Sequence, residues 1–94
     1  MAKRSYDYKE AAEVLKAIAH PTRLKILEIL LSNQGCVREL EEALKKPQAN
    51  ISQHLTILRK AGIVDFSERG RERCYFLKES SKVRKILTCI TKVG

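Results

Sequence analysis

Apolar residues recur along this chain at helical spacing, except in one stretch where they alternate. Over residues 8–19, Ala11, Val14, Leu15 and Ile18 fall at i, i+3, i+4 and i+7, one stripe of a helix. His20-Pro21 ends that helix, because a residue before proline is pushed out of the helical region. Pro21 in turn suits the first turn of a second helix, predicted over residues 21–31. Leu24, Ile26, Leu27, Ile29, Leu30 and Leu31 make it apolar on most sides, the pattern of a buried central helix. Ser32-Asn33-Gln34-Gly35 reads as a turn. A short helix over 37–44 has Val37, Leu40 and Leu44 as its inner stripe, and Lys45-Lys46-Pro47 breaks it. A fourth helix, 48–61, buries Ile51, Leu55 and Leu58, and Gly62 stands where a glycine commonly follows a helix end.

The period then changes from helical to alternating. Residues 64–68 and 71–77 read as two strands, with Arg69-Gly70 as the tip between them. A last helix, 80–93, buries Val83, Ile86, Leu87 and Ile90. The order is four helices, a β-hairpin and a helix. A short helix, a tight break and a longer helix form a helix-turn-helix over about residues 37–61. A hairpin directly after it, over 64–77, is a wing. The predicted class is mainly α with a β-hairpin, a winged helix-turn-helix filling one domain over residues 1–94.

Composition sharpens this. The chain has 94 residues, too few for two domains. A domain this small buries a modest fraction of its surface, and dimerisation is a common way to add core. With 19 Lys and Arg against 11 Asp and Glu, the net charge is +8. A basic domain of this size attracts a polyanion, although a basic soluble surface has the same charge. No apolar run approaches the ~20 residues of a membrane span, and the first residues do not resemble a secretion signal. The expected location is the cytoplasm, with no membrane partner. The three cysteines, Cys36, Cys74 and Cys89, are odd in number and widely spaced. They make neither a secreted disulfide framework nor a CxxC zinc motif.

The fourth helix carries Gln48, Asn50, Ser52, Gln53 and His54 toward its N-terminus. Hydrogen-bonding groups are dense there and charges few, which suits reading base edges in a major groove. The plain alternative is a polar solvent face; the flanking short helix and hairpin argue for recognition. His54 has three available roles, at a base edge, at a phosphate, or inside its own domain. On the hairpin, Arg69 and Arg71 flank Gly70 and suit entry into a minor groove, with Arg73 on the side facing away. Arg59, Lys60, Lys45 and Lys46 are candidates for phosphate contact, which positions the protein without reading sequence.

Three stretches resemble the ArsR/SmtB family of bacterial and archaeal repressors. Ala19-His20-Pro21-Thr22-Arg23-Leu24-Lys25-Ile26-Leu27 is similar to the family's A-x-P-T-R-L-x-I-L. Pro47 to Leu55, continued by Leu58-Arg59-Lys60-Ala61-Gly62-Ile63-Val64, resembles its recognition helix. Arg69-Gly70-Arg71 and Cys74-Tyr75-Phe76-Leu77 resemble its wing. The resemblance implies a homodimer held by the first and last helices, over 8–19 and 80–93. It implies binding to double-stranded DNA at an inverted-repeat operator, and derepression by an effector. Val14, Ile18, Ile86, Leu87 and Ile90 are the candidate dimer stripes, unless they pack inside one subunit.

The family's metal sites are incomplete here. Its thiolate motif C-V-C-E/D-L corresponds to Cys36-Val37-Arg38-Glu39-Leu40, with Arg38 in place of the second thiol. A soft ion wants several thiolates. Its zinc site on the last helix needs histidines, and the two in this chain, His20 and His54, lie elsewhere. No metal or cofactor is expected. Cys36 and Cys89 are the candidate thiol sensor for an oxidant, reactive sulfur or soft metal, and Cys74 is expected to be packing. An enzyme is disfavoured, since there is no Gly-rich phosphate loop, metal cluster or paired-carboxylate motif. The remaining alternatives are an effector-independent winged-helix regulator and a protein- or RNA-interaction module. RNA binding wants exposed aromatic platforms, and none clusters on the fourth helix.

Overall fold

The computed structural model describes residues 7–78 and 83–91. Its elements run α1 (Tyr8–Ile18), α2 (Pro21–Ser32), β1 (Gly35–Cys36), α3 (Val37–Leu44), α4 (Gln48–Lys60), β2 (Val64–Arg69), β3 (Glu72–Leu77) and α5 (Val83–Thr91). Local chemistry sets several of these ends. The Asp7 carboxylate accepts the Glu10 amide at 3.0 Å and caps α1. At the start of α2, His20 Nδ1 accepts the Thr22 amide at 3.1 Å, with Pro21 in the first turn. At α3 the Cys36 amide donates to Glu39 Oε1 at 2.9 Å. The end of α4 is a Schellman turn, in which Gly62 takes φ +77°. There the Gly62 amide reaches Arg59 O at 2.9 Å and the Ile63 amide reaches Leu58 O at 3.0 Å.

α2 is the central helix. Ile26 and Leu27 are fully buried, as are Leu40 of α3, Ile51, Leu55 and Leu58 of α4, and Leu87 of α5. Val83 and Leu87 seat α5 in the core formed around α2. The stripes proposed for a dimer therefore divide. Ile18 and Leu87 belong to the core of one chain, Val14 and Ile86 are half-buried, and Ile90 keeps 55% of its surface exposed; Leu15, outside the proposed stripes, is 53% exposed.

The sheet has three strands in the order β1-β3-β2, all antiparallel. The two-residue strand β1 was not expected. Gly35-Cys36 read as turn and helix start, yet Gly35 pairs with Tyr75 and Cys36 with Cys74. A strand this short has no period of its own, and only its partner defines it. The hairpin tip is also displaced by one residue. β2 includes Arg69, which pairs with Glu72, so Gly70-Arg71 forms the turn. Gly70 has φ +63° and Arg71 does not share the positive region, the type II′ pattern that matches strand twist. Of the predicted last helix, residues 80–82 and 92–93 lie outside the described residues.

The turn between α3 and α4 holds the chain's strained residue among those described. Lys45 sits at φ 53°, in the left-handed region that disfavours a side chain, while the Lys46 amide closes onto Glu41 O. Lys45→Gly should therefore raise unfolding stability by about 0.5–1 kcal/mol, net of the entropy glycine loses on folding. Chemical denaturation at fixed protein concentration measures this, and no gain would contradict the strain.

Candidate nucleic-acid interface

α4 has its rotation set by burial. With Ile51, Leu55 and Leu58 inside, a stripe of Gln48, Ser52 and Thr56 faces β3 across a groove. Arg71 at the hairpin tip, Arg73 of β3 and Arg38 of α3 line the same groove. Glu41 and Glu72 also line it, so it is polar and mixed in charge, with an arginine excess. Amide, hydroxyl and guanidinium groups side by side supply the donors and acceptors that base edges and phosphates match.

The structure brings together only some of the residues expected from sequence. Gln48, Ser52 and Arg71 meet in the groove. Gln53 is exposed on α4 but outside it. Asn50 is half-buried, and its carboxamide oxygen is buried with no hydrogen-bond partner among the described residues. Arg69, on the other side of the tip, lines a separate depression with Cys36, Arg38 and Glu72.

Of the three roles open to His54, the structure favours the one inside its own domain over a base edge or a phosphate: it faces inward, 9% exposed. Its Nδ1 accepts from Arg23 Nε at 3.1 Å, and its ring lies 4.6 Å from that of His20. Burial first, and then the neighbouring His20, Arg23 and Lys46, hold its pKa below the ordinary 6.5. The reason is its position on the wheel. Residue 54 is flanked by the buried 51, 55 and 58, so it turns toward α2.

The residues that sequence reasoning missed are Thr56, Arg38 and Arg73. Thr56 lies one helical turn beyond Ser52 and two beyond Gln48, so the i, i+4, i+8 stripe was available to find it. Its hydroxyl donates back to Ser52 O at 2.9 Å. Arg73, expected to face away, instead lines the groove, because its register partner Glu68 lies on the same sheet face as Phe66 and Tyr75.

Arg59 joins the end of α4 to the wing. Its Nε donates to Asp65 Oδ1 at 3.0 Å, and its guanidinium lies 4.6 Å from the Phe66 ring centroid. Arg73 stacks on Phe66 as well, at 4.5 Å, and Phe66 packs on Tyr75. Asp65 also accepts the Phe66 amide at 2.8 Å. That bond first, and Arg59 second, hold its carboxyl below the usual carboxylate range.

The thiol pairing also differs from expectation. Cys36 is joined to Cys74 as a disulfide, and Cys89 is unbonded and exposed on α5. The β1–β3 register sets this, since it places residues 36 and 74 directly opposite each other. Cys74 is thus more than packing, and Cys36 does not pair with Cys89 within the chain.

The Arg59–Asp65 pair is half exposed, at 53% and 42%. Asp65→Ala should accordingly leave the denaturation midpoint almost unchanged. A large drop in that midpoint in denaturant titration would contradict this reading of the pair.

Comparison with known proteins agrees with this architecture. Residues 20–65 match the family described as bacterial regulatory protein, arsR family. An uncharacterised HTH-type transcriptional regulator of Methanocaldococcus jannaschii, MJ1325, is 41% identical over 87 residues, covering 92% of this chain and 97% of the relative. The HTH-type transcriptional repressor SmtB of Mycobacterium tuberculosis is 40% identical over 84 residues, covering 89% of this chain. This chain spans 62% of that relative's length. The solved structure of HlyU from Vibrio cholerae superposes with a TM-score of 0.83 at 34% identity, covering 92% of each chain. With a helix-turn-helix, a wing and a relative matched over nearly its full length, the chain belongs to the arsR family of bacterial regulatory proteins.

Proposed function

We propose that this protein is a transcriptional repressor that binds an inverted-repeat DNA operator as a homodimer. The observation that carries the reading is the groove in which Gln48, Ser52 and Thr56 of α4 face Arg71 and Arg73 of the hairpin. α4 enters the major groove with its N-terminal half against base edges. Gln48 and Ser52 read from the groove side, with Gln53 and Asn50 beside them on the same helix. Arg71 reaches a minor groove, with Arg69 beside it at the tip, and Arg59 and Lys60 lie on phosphates. The net charge of +8 supplies the long-range attraction. Exposed Leu15 on α1 and Ile90 on α5, with Tyr8 at 76% exposure, provide apolar surface for the second copy. Two-fold symmetry then sets two half-sites about one DNA turn apart. The SmtB relative is named a repressor, which favours repression.

A thiol signal acts, in this reading, through Cys36 and Cys74. The bond ties β1, at the entrance to α3, to the wing strand β3. The loop it closes contains α3, α4 and β2, which is the whole reading head. A peroxide supplies the oxidising equivalents: the two thiols give up two protons and two electrons, the disulfide forms, and the peroxide leaves as two waters. The tethered form presents the groove described above and is the DNA-binding form.

Fluorescence anisotropy on DNA from upstream of the protein's own gene tests both parts. Gln48→Ala and Gln53→Ala should each cost about 1–3 kcal/mol on operator DNA and reduce discrimination against random DNA. Arg71→Ala should weaken both DNAs evenly and lower the salt slope by about one. Unchanged operator affinity and site preference in both glutamine variants would sink the α4 assignment. For the thiols, peroxide-oxidised protein should bind the operator more tightly than dithiothreitol-reduced protein, and the Cys36→Ser, Cys74→Ser double variant should ignore both treatments. Equal affinity in both states, or release on oxidation, contradicts the tether as drawn.

A further inference from the structure

Arg23 performs a task that the DNA-reading surface does not account for. It stands in the first turn of α2, with its planar guanidinium between two other helices. Nη1 donates to Ala17 O in the last turn of α1, at 3.1 Å. Nε donates to His54 Nδ1, in the middle of α4, also at 3.1 Å. One rigid fork thus ties the C-terminal end of α1 to the helix that carries Gln48, Ser52 and Thr56. His20 completes the cluster. Its ring packs on His54 at a tilt of 47°, while its Nδ1 caps α2.

We propose that Arg23 and His54 are positioning residues that hold the pose of α4 against α1, and that the neutral imidazole of His54 is required for that pose. The proposal rests on the reading of α4 as the DNA-recognition helix. Its chemistry is that of a donor meeting an acceptor. Arginine has only donors to offer, so Nδ1 of His54 must be bare and the neutral ring must carry its proton on Nε2. Protonation at Nδ1 turns that acceptor into a donor. The Arg23 bond is then lost, and an imidazolium faces a guanidinium.

The groups around His54 give a proton no compensation. From α2 it faces His20 and Arg23, and from the α3–α4 turn Lys46, each of which disfavours a charged ring. Along α1, Glu10, Glu13 and Lys16 line a groove with Arg23 and with Lys60 of α4, and His54 is not part of its lining. Because the folded pKa lies below 6.5, the unfolded chain binds the proton more readily. The bridge is fully present above pH 6.5 and is lost as pH falls through the lower, folded value. Loss of the pose should weaken operator recognition while added positive charge preserves or strengthens non-specific binding.

The test compares the intact protein with His54→Asn and Arg23→Met between pH 8 and pH 5.5 at fixed salt. Asparagine keeps an acceptor near the Nδ1 position and cannot ionise. In the free protein, nitrogen-15 NMR should show His54 as the Nε2–H tautomer. Amide shifts of Ala17 and of Ser52 and Gln53 should move together as His54 titrates below 6.5, and should stay flat in His54→Asn. On DNA, the parent's operator affinity should fall as pH drops through the folded value, by less than tenfold at pH 5.5 because that value lies below 6.5, with random-DNA affinity unchanged or higher. The operator profile of His54→Asn should be flatter than the parent's at every pH. Arg23→Met should bind the operator weakly at pH 8 as well. An Nδ1–H tautomer, α4 shifts that ignore His54, or parallel pH profiles in the parent and His54→Asn would each overturn the proposal. Failure of the parent to prefer operator at pH 8 strikes the DNA-binding reading instead, and the NMR titration still decides the positioning role.

Discussion

Burial of Ile51, Leu55 and Leu58 fixes the rotation of α4, and most of what this protein presents to a partner depends on that rotation. Each of these side chains contributes roughly 1.5–3 kcal/mol by leaving water. Turning the helix by one residue, about 100° from its 3.6-residue repeat, would bring polar side chains into the core and the apolar stripe to the surface. The cost greatly exceeds any single polar contact at the surface. The outward set is therefore rigidly chosen, and Gln48, Ser52 and Thr56 share one groove because the other side of their helix has no alternative. The same constraint turns His54 inward, where Arg23 and His20 receive it.

A rotated helix still needs a fixed relation to the wing, and two kinds of contact provide it. At the C-terminal end of α4, Arg59 binds Asp65 and lies over Phe66, which Arg73 also covers. At the entrance to α3, the β1–β3 ladder and the Cys36–Cys74 bond attach the helix-turn-helix to the hairpin. The stacked arginines are exposed and adjustable, whereas the ladder is a backbone feature. The hairpin is thereby held at both sides of the groove, with its tip at Gly70-Arg71 left free to reach outward.

The helices were legible because their inner stripes repeat over two turns or more and their ends carry recognisable caps. α3 was read to its residue limits for that reason, between Cys36 and the Lys45-Lys46-Pro47 break. The wing was legible from its alternation, with an error of one residue at the tip, where the cross-strand partner of Arg69 decides the pairing and sequence does not show it. β1 was invisible because two residues have no period. The cysteine pairing was missed with it, since Cys74 meets Cys36 only through that unseen strand. Within the site, polarity marked α4 as the surface helix but did not separate its faces. His54 and Asn50 are polar residues that turn partly or wholly inward, and Thr56 was overlooked because it lies a turn beyond the polar cluster at the N-terminal end of the helix.

The most direct test of the account is an NMR titration of the intact protein with operator DNA, following backbone and side-chain shifts. The largest changes should fall at Gln48, Ser52, Gln53, Thr56, Arg71 and Arg73, with the buried His54 and the α5 residues little affected. Dominant changes on α1 or α5, with the α4 groove silent, would show that this surface does not read DNA.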